Sequence, residues 1–134
     1  MMTVLNFDQP FSVRQLADLA RRLDTDEPHV IDIPVQIVTS RPLAAQAREF
    51  VDAVGWPARE WQTWSFVIRP PRLGIAALAI IAEIAGRCGY LPTIVTLRRR
   101  TASNPSIDEI WELVSLQGVA DSAAAGHWPD QTRQ

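Results

Sequence analysis

Apolar positions along the chain switch repeatedly between short runs and helical spacing, and the order of those switches predicts alternating strands and helices. Thr3 to Phe7 is a short apolar run that reads as a first strand. A helix start follows, with Ser12 and Gln15 at capping-box spacing and Phe11 and Leu16 placed for a hydrophobic staple. Val13, Leu16, Ala20 and Leu23 then form one apolar stripe. His29 to Val38 is rich in β-branched residues and alternates through Ile31, Ile33, Val35 and Ile37, while Pro34 confines this second strand to a sheet edge or ends it early. Ser40, Arg41 and Pro42 lead into a second helix with Leu43, Ala47, Phe50 and Val54 on one face and Gly55 as its stop.

Trp56 to Gln62 reads as a connection, and Trp64 to Ile68 as a third strand covered on both faces. Pro70 and Pro71 close it. A third long helix, Leu73 to Arg87, is apolar nearly all round and needs cover on more than one side. Gly86, Gly89 and Pro92 mark the turn before a fourth strand, Thr93 to Leu97, which ends in Arg98, Arg99 and Arg100. The turn-rich Thr101 to Ser106 is too short for a crossover, so Ile107 to Gln117 is predicted to pair antiparallel, with Ile110, Val114 and Leu116 facing one way and Trp111 and Leu113 the other. Gly118 to Gly126 reads as a weak Ala-rich helix closing a single domain of residues 1–126, and 127–134 as a flexible tail.

The resulting expectation is an α/β fold: a three-layer Rossmann-like sandwich with a mostly parallel sheet and an antiparallel C-terminal strand. In such sheets ligands sit over the carboxyl ends of the strands, beside helix amino termini that attract anions. The candidates there are Asn6 and Phe7 after the first strand, and Gln36, Thr39, Ser40 and Arg41 around the end of the second. Arg69, Pro70, Arg72 and Gly74 flank the start of the third helix, and Arg98 ends the fourth strand. Each also has an ordinary reading. Asn6 fits a turn residue bonding its own backbone, Ser40 a helix cap, and Arg98 to Arg100 a solvated hairpin end.

Composition narrows the chemistry. The formal charge of −2 and the lack of a basic block argue against general binding to long nucleic acid. All 13 basic residues are Arg, whose planar fork suits phosphate oxygens. Cys88 is the single cysteine, so no internal disulfide can form; with no leader-like start and no apolar run of the ~20 residues that span a bilayer, the expected location is the cytoplasm, with no membrane partner. His29, His127 and Cys88 lack metal-ligand spacing, and glycine-rich phosphate loops and nucleophile elbows are missing, so neither metal nor cofactor is expected. Trp56, Trp61 and Trp64 surround one connection and read as packing or interface residues rather than base-stacking ones.

Several segments, in their order, resemble a known family: Leu5-Asn6-Phe7, Val30 to Gln36, Glu60-Trp61-Gln62-Thr63, the Pro70-Pro71 pair before an Ala/Ile-rich helix, Gly86 to Pro92, and Ser115-Leu116-Gln117. Together they are similar to the small CRISPR-associated proteins called Csx-fifteen, over nearly the whole chain. The resemblance implies a CARF-like sensor fold accompanying type III CRISPR systems. It also implies binding of a cyclic oligoadenylate second messenger, in particular cyclic tetra-adenylate, with attenuation of the signal by a metal-independent ring nuclease or by sequestration. The family pattern carries Asn where Arg69 stands and a less basic residue near Arg72, and no catalytic residue is transferred. A four-unit ring suits a site shared by a homodimer. Phe7 or Tyr90 would then stack on adenine. The competing expectation is an interaction subunit without a small ligand, assembled through the Trp cluster and the third long helix.

Overall fold

A computed structural model of the chain describes residues 2–100 and 107–126; the expected 101–106 hairpin loop and 127–134 tail lie outside them. The elements are β1 (Thr3–Asn6), α1 (Val13–Arg22), β2 (His29–Asp32), α2 (Leu43–Asp52), α3 (Ala58–Thr63), β3 (Phe66–Arg69), α4 (Gly74–Cys88), β4 (Thr93–Arg100), β5 (Ile107–Ser115) and α5 (Leu116–Ala124). They build one five-stranded sheet in the order β2-β1-β3-β4-β5. The first three neighbouring pairs are parallel and β4-β5 is antiparallel. Helices cover both faces, as in Rossmann-like folds.

The strands sort their side chains by alternation. Leu5, Phe66 and Ile68 join Ala47, Val51, Trp61, Ile80 and Ile84 in the core beneath α2, α3 and α4. Val4, Val67, Val95 and Ile110 form a smaller core with Leu19 beneath α1. β1 and β3, buried along their whole length, are the centre of the molecule. β2 stops at Asp32 on the sheet edge, where Pro34 removes the next ladder donor, although the Ile33 amide still reaches the Asn6 carbonyl at 2.8 Å.

Several local expectations change. In α1 the capping box forms between Ser12 and Gln15, but the buried residue is Leu19, whereas Val13, at 86 % exposure, lies off the apolar stripe. Ala58–Thr63 is a short helix rather than a plain connection, because Trp61 anchors it in the core with Trp56 and Phe66 edge-on at 4.9 and 5.5 Å. Within β5 the register slips at Trp111, so Ile110 opposes Leu97 while Glu112 opposes Thr96. This bulge turns Ile110 and Leu113 to the same core, which corrects the strict alternation expected there. α4 buries Ala76, Ile80, Ile84 and Cys88 at four-residue steps, and within the single chain it leaves Ile75 (56 %) and Leu78 (70 %) exposed.

The long segment between β2 and α2 is held by a residue that periodicity did not single out. Gln46, 2 % exposed, accepts from the Val38 amide at 2.8 Å and donates to the carbonyls of Val38 and Arg41 at 2.7 and 2.9 Å. Gln46→Ala strands these groups and is expected to cost about 2 kcal/mol. Urea melts measure that loss, and amide exchange at Val38 should rise with it; an unchanged midpoint would show that the loop holds itself.

Candidate functional site

The chain leaves β1 to cross toward β2 on one side and enters β3 on the other, so the β1/β3 boundary is the switch point where the loops after the strands diverge and open a crevice. Register sets three side chains abreast at its floor. Asn6 pairs with Asp32 across β1-β2 and with Arg69 across β1-β3. Asn6 is fully buried; its Nδ2 donates to Asp32 Oδ1 at 2.8 Å and to the Gln9 carbonyl at 2.9 Å, while its Oδ1 accepts from the Asp8 amide at 3.1 Å. This Asx turn folds the β1-α1 loop over the strand ends.

Arg69 is the second anchor of that loop. Its Nη1 donates to the same Gln9 carbonyl at 2.7 Å, its Nη2 lies 3.6 Å from Asp8 Oδ2, and its guanidinium sits 4.9 Å over the Phe11 ring. At 5 % exposure, burial pulls its pKa down while Asp8 acts in the opposite direction, and the guanidinium stays charged. Arg72, mostly exposed, bridges Asp8 Oδ2 and Asp108 Oδ2, each at 3.2 Å.

Two clefts flank the Asp8-Arg72 pair. The first, about 390 Å³, is bounded by Arg69, Pro70, Arg72, the β4 stretch from Val95 to Arg99, Asp8 and Asp108. Four arginines face two aspartates there, so the cleft carries net positive charge in an acidic protein. The second, about 330 Å³, lies among Phe7, Asp8, Asp32, Pro34, Val35, Ile37, Pro71, Arg72 and Leu73. Both fall within the ~300–1,000 Å³ of small-molecule sites. Beside them α4 begins at Gly74 with Leu73 as N-cap and no side-chain cap, so its first-turn amides lack partners within the helix.

The structure brings together Arg69, Pro70, Arg72 and Arg98 around the first cleft, with Gly74 next to them. Arg98 also pairs with Glu109 at 3.2 Å. Asn6 lies beneath as the residue shaping the loop. Phe7 is packed into the larger core at 1 % exposure and reaches only the wall of the second cleft, so its ring is not available for open stacking. Tyr90 precedes β4 and the Trp cluster precedes β3, which places both at the amino ends of these strands, opposite the clefts. Gln36, Thr39 and Ser40 are exposed on the β2-α2 loop and border neither cleft. Ser40 does not cap α2, whose N-cap is Pro42. Arg41 is engaged by Glu49 through two hydrogen bonds; that contact raises the arginine pKa and lowers the carboxyl's.

Asp8, Asp32, Arg99 and Asp108 are the additions the structure makes to the site. The Asn6-Phe7-Asp8-Gln9-Pro10 turn carried a signal for Asp8, since an Asx turn presents the residue two positions on. Asp108 had none, because its pairing with Arg72 spans separate elements. A scan against protein-family models, a search of curated proteins and a search of solved structures each found no match.

Proposed function

We propose that the first cleft binds a cyclic oligoadenylate, specifically cyclic tetra-adenylate, and that the protein attenuates this second messenger of type III CRISPR defence. The observation that carries the reading is the buried Arg69 guanidinium set beside Arg72 and Arg98 over the carboxyl ends of β3 and β4, next to the uncapped start of α4. Planar guanidiniums and free helix amides are the groups that hold phosphodiester oxygens. The sequence resemblance supplies the ring as the ligand. Two copies presenting the same cleft would match the symmetry of a four-unit ring, making the acting unit a homodimer.

If the bound ring is cut, the step is in-line attack. The ribose 2′-oxygen bonds to the adjacent phosphorus, the bond to the 5′-oxygen breaks, and the products carry a 2′,3′-cyclic phosphate and a 5′-hydroxyl. The proton leaves the attacking oxygen as another reaches the departing one. Arg69 and Arg72 would stabilise charge gathering on the phosphoryl oxygens. Holding the ring without cutting it lowers its free concentration as well.

Incubation with radiolabelled cyclic tetra-adenylate in EDTA, followed by chromatography, tests the reading. Linear products are expected of a nuclease and intact ring retained on the protein of a sponge; unretained, intact ring overturns both. A second reading, an interaction subunit without a small ligand, draws on the exposed Ile75 and Leu78 of α4. Calorimetry separates the two, since only the first expects sub-micromolar ring affinity.

A further inference from the structure

The second cleft has the opposite electrostatics to the first. Asp8 and Asp32 face a single arginine, Arg72, and the remaining wall is largely apolar, with Pro34, Ile37 and Leu73 among its residues. Its net negative charge disfavours a phosphate, and its apolar wall suits an uncharged group. Because the clefts share Asp8 and Arg72, a nucleotide lying across that pair is sorted by charge, its phosphate toward Arg69 and its sugar and base toward Asp32.

Asp32 is the last residue of β2, and its geometry is constrained on one side only. Its Oδ1 accepts from the buried Asn6 at 2.8 Å, and no side chain among the described residues donates to Oδ2. Asn6 is itself fixed by Gln9 and Asp8, so one carboxylate oxygen is held by the fold while the other keeps its accepting capacity. In dinucleotide-binding α/β folds an acid at the end of the second strand accepts from a ribose hydroxyl; Asp32 stands at that strand end here, without the glycine fingerprint that accompanies it there. We propose that Asp32 is the ribose-recognition residue of the site, accepting the 2′-hydroxyl of a nucleoside seated in the second cleft and thereby selecting ribo- over deoxyribonucleotides. The proposal rests on the phosphate-binding reading and assigns its sugar specificity.

The test is calorimetry with cyclic tetra-adenylate and with its all-2′-deoxy counterpart, on wild type and Asp32→Asn. The variant keeps the Oδ1 that Asn6 needs and replaces the other acceptor by a donor. Wild type is expected to bind the ribo ring at least ~10-fold more tightly, the weight of a hydrogen bond to a charged group. Asp32→Asn should lose that preference, binding the ribo ring ~10-fold more weakly and the deoxy ring as well as wild type or better, since one carboxylate repelling phosphate is gone. A purely structural Asp32 would weaken both rings together. If wild type binds both rings alike, or the variant keeps the preference, the ribose assignment is overturned and the phosphate reading stands. Should wild type bind neither ring, the phosphate reading itself falls and takes this assignment with it.

Discussion

Arg69→Ala is expected to weaken cyclic tetra-adenylate binding about 100-fold or more and to lower folding stability by about 3 kcal/mol. The binding loss follows from burial. A guanidinium at 5 % exposure has already been taken out of water, so under the proposed reading a phosphate oxygen meeting it would face less solvent competition than at the mostly exposed Arg72. The stability loss has a separate origin in the Gln9 carbonyl and the Asp8 carboxylate, which lose a donor and a neighbouring cation. Asp8 retains Arg72, which holds the cost to the lower end of the range for broken buried pairs.

Arg69→Met separates these effects. Methionine refills part of the volume beneath Phe11 without a buried charge, so about half of the lost stability should return, as replacement of buried ions by apolar side chains allows. Ring affinity should not return with it. Urea melts followed by calorimetry well below the unfolding midpoint give both numbers, and an Arg69→Met variant binding the ring as tightly as wild type would remove Arg69 from the site. Arg72→Ala, acting from a solvated position, should cost only ~10-fold in affinity.

What could be read from the chain was whatever local periodicity encodes. The Ser12-Gln15 box, the apolar run of β3 and the long α4 are set within a few residues of sequence, and each appears where its pattern lies. Their order fixed the parallel crossovers, hence the crevice after β1 and β3, hence the placement of Arg69, Arg72 and Arg98. Six-residue α3 was missed because it is too short to show a period and is helical through the burial of Trp61. Trp111 was misplaced because a bulge inserts one residue and reverses the alternation that identifies a face. Arg41 carried the right residue type, yet it lies in the loop well past the end of β2 and Glu49, on the helix that follows, engages it. Asp32 and Asp108 gain their meaning only from partners supplied by other elements, and Asp8 gains its ion pairs the same way. Charge pairing across elements has no period, so beyond the local Asx-turn signal at Asp8 the acidic half of the site stayed silent in the sequence.

Asn6→Asp is expected to be the most damaging single-atom-scale change in the fold, costing about 3–5 kcal/mol at neutral pH. Asn6 is completely buried, and its Nδ2 serves two acceptors at once, the Gln9 carbonyl and Asp32 Oδ1. An aspartate in its place donates to neither and sets a second carboxylate within hydrogen-bonding distance of the first. Like charges that close cannot both ionise, so the native pair holds a proton to higher pH than unfolded carboxylates do. The sign follows from proton counts. Between about pH 4, where unfolded carboxylates titrate, and the raised native value, the folded variant binds more protons than the unfolded chain, and its stability therefore falls as pH rises. The deficit relative to wild type should be smaller at pH 5 than at pH 8, because a proton on the pair restores one donor between the introduced carboxyl group and Asp32. Urea melts at the two pH values measure it. Equal deficits at both would mean that the two carboxyl groups do not share a proton.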